Sequence, residues 1–250
     1  QMPKILVIPD LHEPVAHPGS MDFIDSVAQE HQPDAVVFIG DIVDHHGIST
    51  WTKHPSAPGP KDEYELALED VQRWYNKYPD AVVTIGNHDA RPMRMAESAG
   101  VPGSYLKDYS EVWQTPRWSW VDEIIIGTGI NAVYFTHGTG RSGLQPAASL
   151  AREMSMSAVM GHIHSVGGVR WFANPTKRWF GMDTGCLVDD RLYAFSYGKA
   201  CKKKSVLGCG YIDTENPSNT RFIAMPSGRG ERFGRDKYPL HPLLKGRVIT

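Results

Sequence analysis

The spacing of apolar residues in this chain points to an α/β sandwich built as one domain. Short β-branched runs recur from the start of the sequence, and each ends in a polar, glycine-containing turn. Stretches with helical spacing lie between several of them. After about residue 165 the runs become closely spaced, which reads as mostly antiparallel sheet.

The first strand is Ile5–Ile8, stopped by Pro9 and Asp10. Met21 to Glu30 follows as a helix with Phe23, Ile24 and Val27 on one face and Ser20 as its N-cap. Ala35–Ile39 is the second strand. Tyr64, Leu66, Ala67, Leu68, Val71, Trp74 and Tyr75 then mark a helix that must stop before Pro79. Ala81–Ile85, Ala132–Thr136 and Ala158–Met160 complete the first set of strands, with a helix over Leu144–Met154. The second set is Gly167–Phe172, Trp179–Met182, Leu192–Tyr197, Ser205–Ile212 and Arg221–Ala224. Residues 2–225 form the expected domain, and 226–250 a basic tail rich in Gly and Pro. Gln1 ahead of Met2 reads as an added residue.

Composition excludes several classes. With 250 residues, 41% of them hydrophobic and 22% charged, the chain can bury a core without disulfides. Its apolar runs are too short for a transmembrane helix or a secretory signal. Cys186, Cys201 and Cys209 lack metal-ligand spacing and suit free thiols in a reducing cytoplasm. Histidine is in excess, at 11 residues.

The histidines cluster at strand ends. Asp10-Leu-His12, Gly40-Asp41-Ile-Val-Asp44, Gly86-Asn87-His88-Asp89, His137-Gly138 and Gly161-His162-Ile-His164 each follow a strand. In α/β sheets the carboxyl ends of strands line a common crevice, so these segments converge. Asp, His and Asn without thiolate suit Mn, Fe, Zn, Ni or Co rather than a closed structural zinc. Asp10, His12, Asp41, Asn87, His137, His162 and His164 exceed what one ion uses, and fit two ions sharing a carboxylate.

Together these motifs, over residues 10–164, resemble the calcineurin-like metallophosphoesterases. The resemblance implies a four-layer α/β/β/α sandwich of two mixed sheets flanked by helices, with a binuclear centre at its top. It implies that Asp10, His12 and His164 hold one ion, that Asn87, His137 and His162 hold the other, and that Asp41 bridges them. Mn comes first among the metals. It further implies hydrolysis by a metal-bound hydroxide, with His88 facing the substrate phosphate as donor or general acid and Asp44 orienting it.

One departure separates the chain from phosphoprotein phosphatases of that family. Where they read G-D-x-x-D-R-G, this chain has His45 in the arginine's place, followed by His46. An imidazole lacks the bidentate fork that grips a monoester dianion, which favours a phosphodiesterase of nucleotides or nucleic acid over a phosphomonoesterase. His45 and His46 are also readable as surface residues of a loop. A metal-free scaffold would require eroded ligands, and all seven are present. Gly138-Thr-Gly-Arg-Ser-Gly143 matches a dinucleotide fingerprint but follows a committed histidine; Arg141 in it is a candidate phosphate contact. Tyr105, Tyr109, Trp113, Trp118 and Trp120, and the group Trp171, Phe172, Trp179 and Phe180, read first as core or subunit packing. Base stacking is the alternative. Lys202-Lys203-Lys204 and the tail are candidate backbone contacts for a nucleic acid. Homodimerisation through the aromatic insert is a further expectation.

Overall fold

The computed structural model describes residues 3–50, 53–55, 57–189, 192 and 204–226. β1 (Lys4–Ile8) leads through α1 (Ser20–His31) to β2 (Ala35–Phe38), and α2 (Pro60–Lys77) returns to β3 (Val82–Thr84). α3 (Arg91–Ser98) and the single turn α4 (Tyr109–Val112) precede β4 (Ser119–Val121) and β5 (Glu123–Ile126). Next come β6 (Val133–Thr136), α5 (Pro146–Met154) and β7 (Ser157–Met160). The hairpin of β8 (Gly167–Ala173) and β9 (Arg178–Thr184) follows, then β10 (Gly208–Asp213) and β11 (Arg221–Ala224).

These strands form two mixed sheets, ordered β11-β10-β1-β2-β3-β4 and β5-β6-β7-β9-β8. The alternation of side chains along each strand explains why the sheets stack. Ile5, Val7, Val37 and Ile39 of the first sheet meet Val133, Phe135, Val159, Phe180 and Met182 of the second in a closed interior. The opposite parity, Leu6, Ile8 and Phe38, faces Phe23, Ile24 and Val27 of α1 and Ala67, Val71 and Trp74 of α2. On the far side Tyr134, Ala158 and Met160 pack on Ala147, Leu150 and Ala151 of α5. The result is the four-layer α/β/β/α sandwich. Each fully buried aliphatic or Phe side chain in these layers contributes about 1.5–3 kcal/mol, so the pattern is strongly specified.

Beyond residue 165 the described strands pair mostly antiparallel, as expected, in β8–β9, β1–β10 and β10–β11, while β9 pairs in parallel with β7. Two details differ from expectation. Gly19, not Ser20, occupies the cap position of α1; Ser20 lies inside the helix and its N–H donates to His17 O at 2.8 Å. The strand expected over Ser205–Ile212 begins at Gly208. The expected strand Leu192–Tyr197 (apart from Leu192), Cys201, Lys202-Lys203 and the tail from 227 onward lie outside the described residues. No helix among the described residues is long and apolar enough to cross a membrane.

The aromatic insert resolves into core. Trp113 and Trp118 are buried with α2, where Gln72 Nε2 donates to Trp113 O and Trp118 Nε1 donates to Tyr78 O, both at 2.7 Å. Those rings are closed to bases, whereas Tyr105 is 80% exposed. Trp179 likewise donates to Ala151 O at 3.0 Å, and Trp171 lies far along a hairpin that runs away from the motif loops, pairing with Phe180.

Candidate metal centre

The five motif segments leave the carboxyl ends of β1, β2, β3, β6 and β7, so the first sheet supplies three and the second sheet two. The loops fit so closely that glycine is required where they cross. A Cβ on Gly86 would lie 2.1 Å from Asp41 Oδ1, and one on Gly161 2.2 Å from Asp10 Oδ1. The backbone is also held in the left-handed region at His12 (φ 53°), Asp41 (47°), His45 (50°) and His162 (68°). Non-glycine residues adopt that conformation at a cost, and such strain gathers at functional sites.

Two hydrogen bonds fix the imidazole tautomers. His12 Nδ1 donates to Asp44 Oδ1 at 2.8 Å, which leaves Nε2 with a lone pair. That atom faces Asp41 Oδ2 at 3.5 Å and His164 Nε2 at 3.2 Å. His164 Nε2 is in turn 3.1 Å from Asp10 Oδ2. On the other side His137 Nδ1 donates to Ile39 O at 2.9 Å, and its Nε2 faces Asp41 Oδ2 at 3.2 Å and Asn87 Oδ1 at 3.0 Å. The His162 ring lies edge-on to His137, centroids 5.1 Å apart, and its ligand atom joins those of Asp41 and His137 within 4.8 Å. Asp10, His12 and His164 form an equally tight set.

Lone pairs and carboxylates thus converge on two points, with Asp41 Oδ2 between them. Such an array needs positive charge between its carboxylates, from protons or from metal cations, and the second partner on His12 and on His137 is the arrangement metal-binding histidines use. The donor chemistry therefore fits divalent ions. Electrostatics agree. Burial opposes charge on His137, yet the Asp41 and Asp10 carboxylates outweigh it and lift its pKa to about 10. Burial also opposes ionisation of Asp41, and the surrounding histidines still hold its carboxyl well below the usual range.

His88 stands at the edge of this array. Its Nδ1 is 3.0 Å from Asp44 Oδ1 and 2.8 Å from Asp44 O, and its N–H donates to Asp41 Oδ1 at 2.7 Å. Despite burial, Asp41 and Asp44 hold its pKa above the usual imidazole value. Asp44 thus serves both His12 and His88 through one oxygen. Of the candidate substrate contacts, His45 donates from Nδ1 to His88 O at 2.9 Å and lies against Trp113, and burial pushes its pKa down to about 4. Arg141 turns instead to Glu153, 2.9 Å away.

Three contributors were not evident in the sequence. Asp89 is buried and accepts from Gly86 N at 2.9 Å and Val43 N at 3.2 Å, tying the second and third motif loops together. Glu63 of α2 accepts from His46 N at 2.6 Å and Gly47 N at 2.7 Å. Arg91 lies across Asp44, His45 and His88. Only Asp89 had a motif signal, as the last residue of Gly-Asn-His-Asp.

A family model described as calcineurin-like phosphoesterase matches residues 3–186. Among solved structures the chain is similar to a novel archaeal phosphodiesterase, at 14% identity over 89% of this chain and 99% of that one, with a TM-score of 0.45. It is also similar to vacuolar protein sorting 29 from Cryptosporidium parvum, at 12% identity over 85% and 86%, TM-score 0.45. A third is Yfce, a phosphoesterase from E. coli, at 12% identity over 84% and 88%, TM-score 0.41. No curated protein matches the sequence.

Proposed function

Since this chain belongs to the calcineurin-like phosphoesterase family, we propose that it is a binuclear metal-dependent phosphodiesterase. Asp10, His12 and His164 would hold one ion and Asn87, His137 and His162 the other, with Asp41 between them and Mn the first metal to test. Bound there, two ions supply Lewis acidity that activates water and neutralises phosphoryl charge. The chain's own residues do the rest. Asp44 and Ile39 O fix the histidine tautomers, and His88, aligned by Asp44, offers a hydrogen to the phosphoryl or leaving oxygen.

The observation that carries the diester preference is His45. It takes the place where a monoester-gripping arginine would sit, it is neutral at pH 7 with its pKa near 4, and its Nδ1–H is spent on His88 O. A diester monoanion needs that grip least. With Trp113 and Trp118 in the core, stacking no longer supports a nucleic-acid diester over a smaller one. The buried free thiols Cys186 and Cys209 fit a reducing compartment. The test is kcat/KM for bis-p-nitrophenyl phosphate against p-nitrophenyl phosphate in the Mn-loaded protein. A diester preference of about tenfold or more is expected, and a monoester preference would overturn it.

A further inference from the structure

Resting on that phosphoesterase reading, we propose that Arg91 is the cation that contacts the substrate phosphate, delivered from α3 to the edge of the site beside His88. The turn after Gly86-Asn87-His88-Asp89 folds its guanidinium back across two motif loops. Nη1 donates to Asp44 O at 2.8 Å and to His45 O at 2.7 Å. Nη2 lies 3.2 Å and 3.3 Å from the two ring nitrogens of His88. The group is therefore pinned beside the one imidazole proposed to face phosphate.

Among the described residues its charge forms no direct ion pair, although it acts on the Glu63 carboxylate at longer range. Arg73, Arg117 and Arg141 each pair with a carboxylate, Asp70, Asp80 and Glu153. Among the described residues no carboxylate oxygen is paired with Arg91, although Asp44 is its neighbour; the arginine takes that loop's carbonyls instead. A guanidinium has five N–H bonds. Both on Nη1 are committed and one on Nη2 faces His88. The second Nη2 hydrogen and the Nε hydrogen have no partner among the described residues. An arginine anchored this way has already lost its rotamer freedom, so a phosphoryl oxygen arriving next to His88 meets a preorganised donor. The anchoring also limits it. With both Nη1 hydrogens tied to carbonyls, Arg91 reaches one oxygen rather than forking a dianion, which is the grip a diester requires.

The experiment uses inorganic phosphate as the probe, titrated calorimetrically into the Mn-loaded protein, alongside steady-state kinetics on bis-p-nitrophenyl phosphate. Arg91→Ala removes the group. Arg91→Gln keeps donors for the two carbonyls but no charge, and Arg91→Lys keeps the charge without the fork. Both uncharged variants should retain their metal and weaken phosphate binding at least tenfold, with KM rising by a similar factor and kcat changing less; Arg91→Lys should recover part of the loss. The proposal is overturned if Arg91→Gln binds phosphate within twofold of the wild type, if the wild type does not bind it, or if the variants lose metal, since Arg91 would then only brace the loops. If the wild type binds phosphate through Arg91 yet hydrolyses no ester, the phosphoesterase reading fails and this one stands.

Discussion

A single carboxylate shows how much chemistry one residue position can settle. Asp44 is buried, and burial alone would raise its pKa, yet hydrogen bonds from His12 and His88 hold it well below the usual carboxylate range. The same oxygen therefore sets the tautomer of His12 and the alignment of His88, the imidazoles proposed to face metal and phosphate. Asp44→Asn keeps the shape and weakens both, so metal affinity or turnover should fall by roughly 10–100-fold, as for other partners behind a metal ligand. Parallel metal analysis and kinetics of the variant check this; wild-type values in both would show that Asp44 only shapes its loop. At this scale the sequence was legible where a residue type carries its own chemistry. Asp, His and Asn at strand ends announced a metal site before any geometry was known. Arg91 was silent because an arginine three residues beyond His88 has no significance until the turn folds it back, and His45 misled in part, since sequence shows an imidazole but not the burial that keeps it neutral.

Among the elements, those with a buried stripe were readable and those without one were not. α1 and α2 bury regularly spaced apolar residues, and the expected spans miss their ends by a few positions at most. α3 buries no residue at all, so its Arg-Pro-Met-Arg sequence offers no helical period to find. β4 and β5 bury no residue fully, so they lack the buried apolar run that marked the equally short β2, β3, β6 and β7. α5 carries a testable device at its start. Asp183 of β9 accepts from Ala147 N at 3.1 Å, and burial pushes its carboxyl up to about 6. A raised folded-state pKa means that the native protein holds the proton longer than the unfolded chain does. Stability therefore falls as pH rises from about 4 to about 6 and stays lowered above that window. Asp183→Asn keeps the oxygen that accepts from Ala147 and removes the ionisation. The variant should match the wild type near pH 4 and exceed it by about 2 kcal/mol at pH 7, the free energy of raising the carboxyl to about 6, discounted for relaxation. Urea midpoints at the two pH values measure it, and an equal gap at both would refute the assignment.

Across the whole molecule the His/Asp cluster lies where the two sheets meet, so a metal bound there would clasp them. The closed interior is apolar and continuous, but at the carboxyl ends of the strands it gives way to Asp10, Asp41 and Asn87 from one sheet and His137, His162 and His164 from the other. Without metal ions the carboxylates are offset by imidazole protons, His137 with its pKa near 10 among them, and the His12 and His164 nitrogens lie 3.2 Å apart. The motif spacing foretold that the five segments would meet and the family resemblance that two sheets would be present, while the division of three segments on one sheet and two on the other came from the pairing. That division matters energetically, because an ion bound between sheets opposes their separation and its binding free energy adds to the stability of the fold. For a site that binds only the native state, each ion at 100 times its dissociation constant adds about 2.7 kcal/mol. Stripping the protein with a chelator should therefore lower its melting temperature by several degrees, and adding Mn should restore it in proportion to the logarithm of free metal. Asp41→Asn should flatten that response more than Asp10→Asn, because Asp41 stands between the two proposed ion positions and its loss would weaken both. A melting temperature indifferent to chelator would mean that the apolar interior alone holds the sheets together, and that the polar rim contributes chemistry without contributing stability.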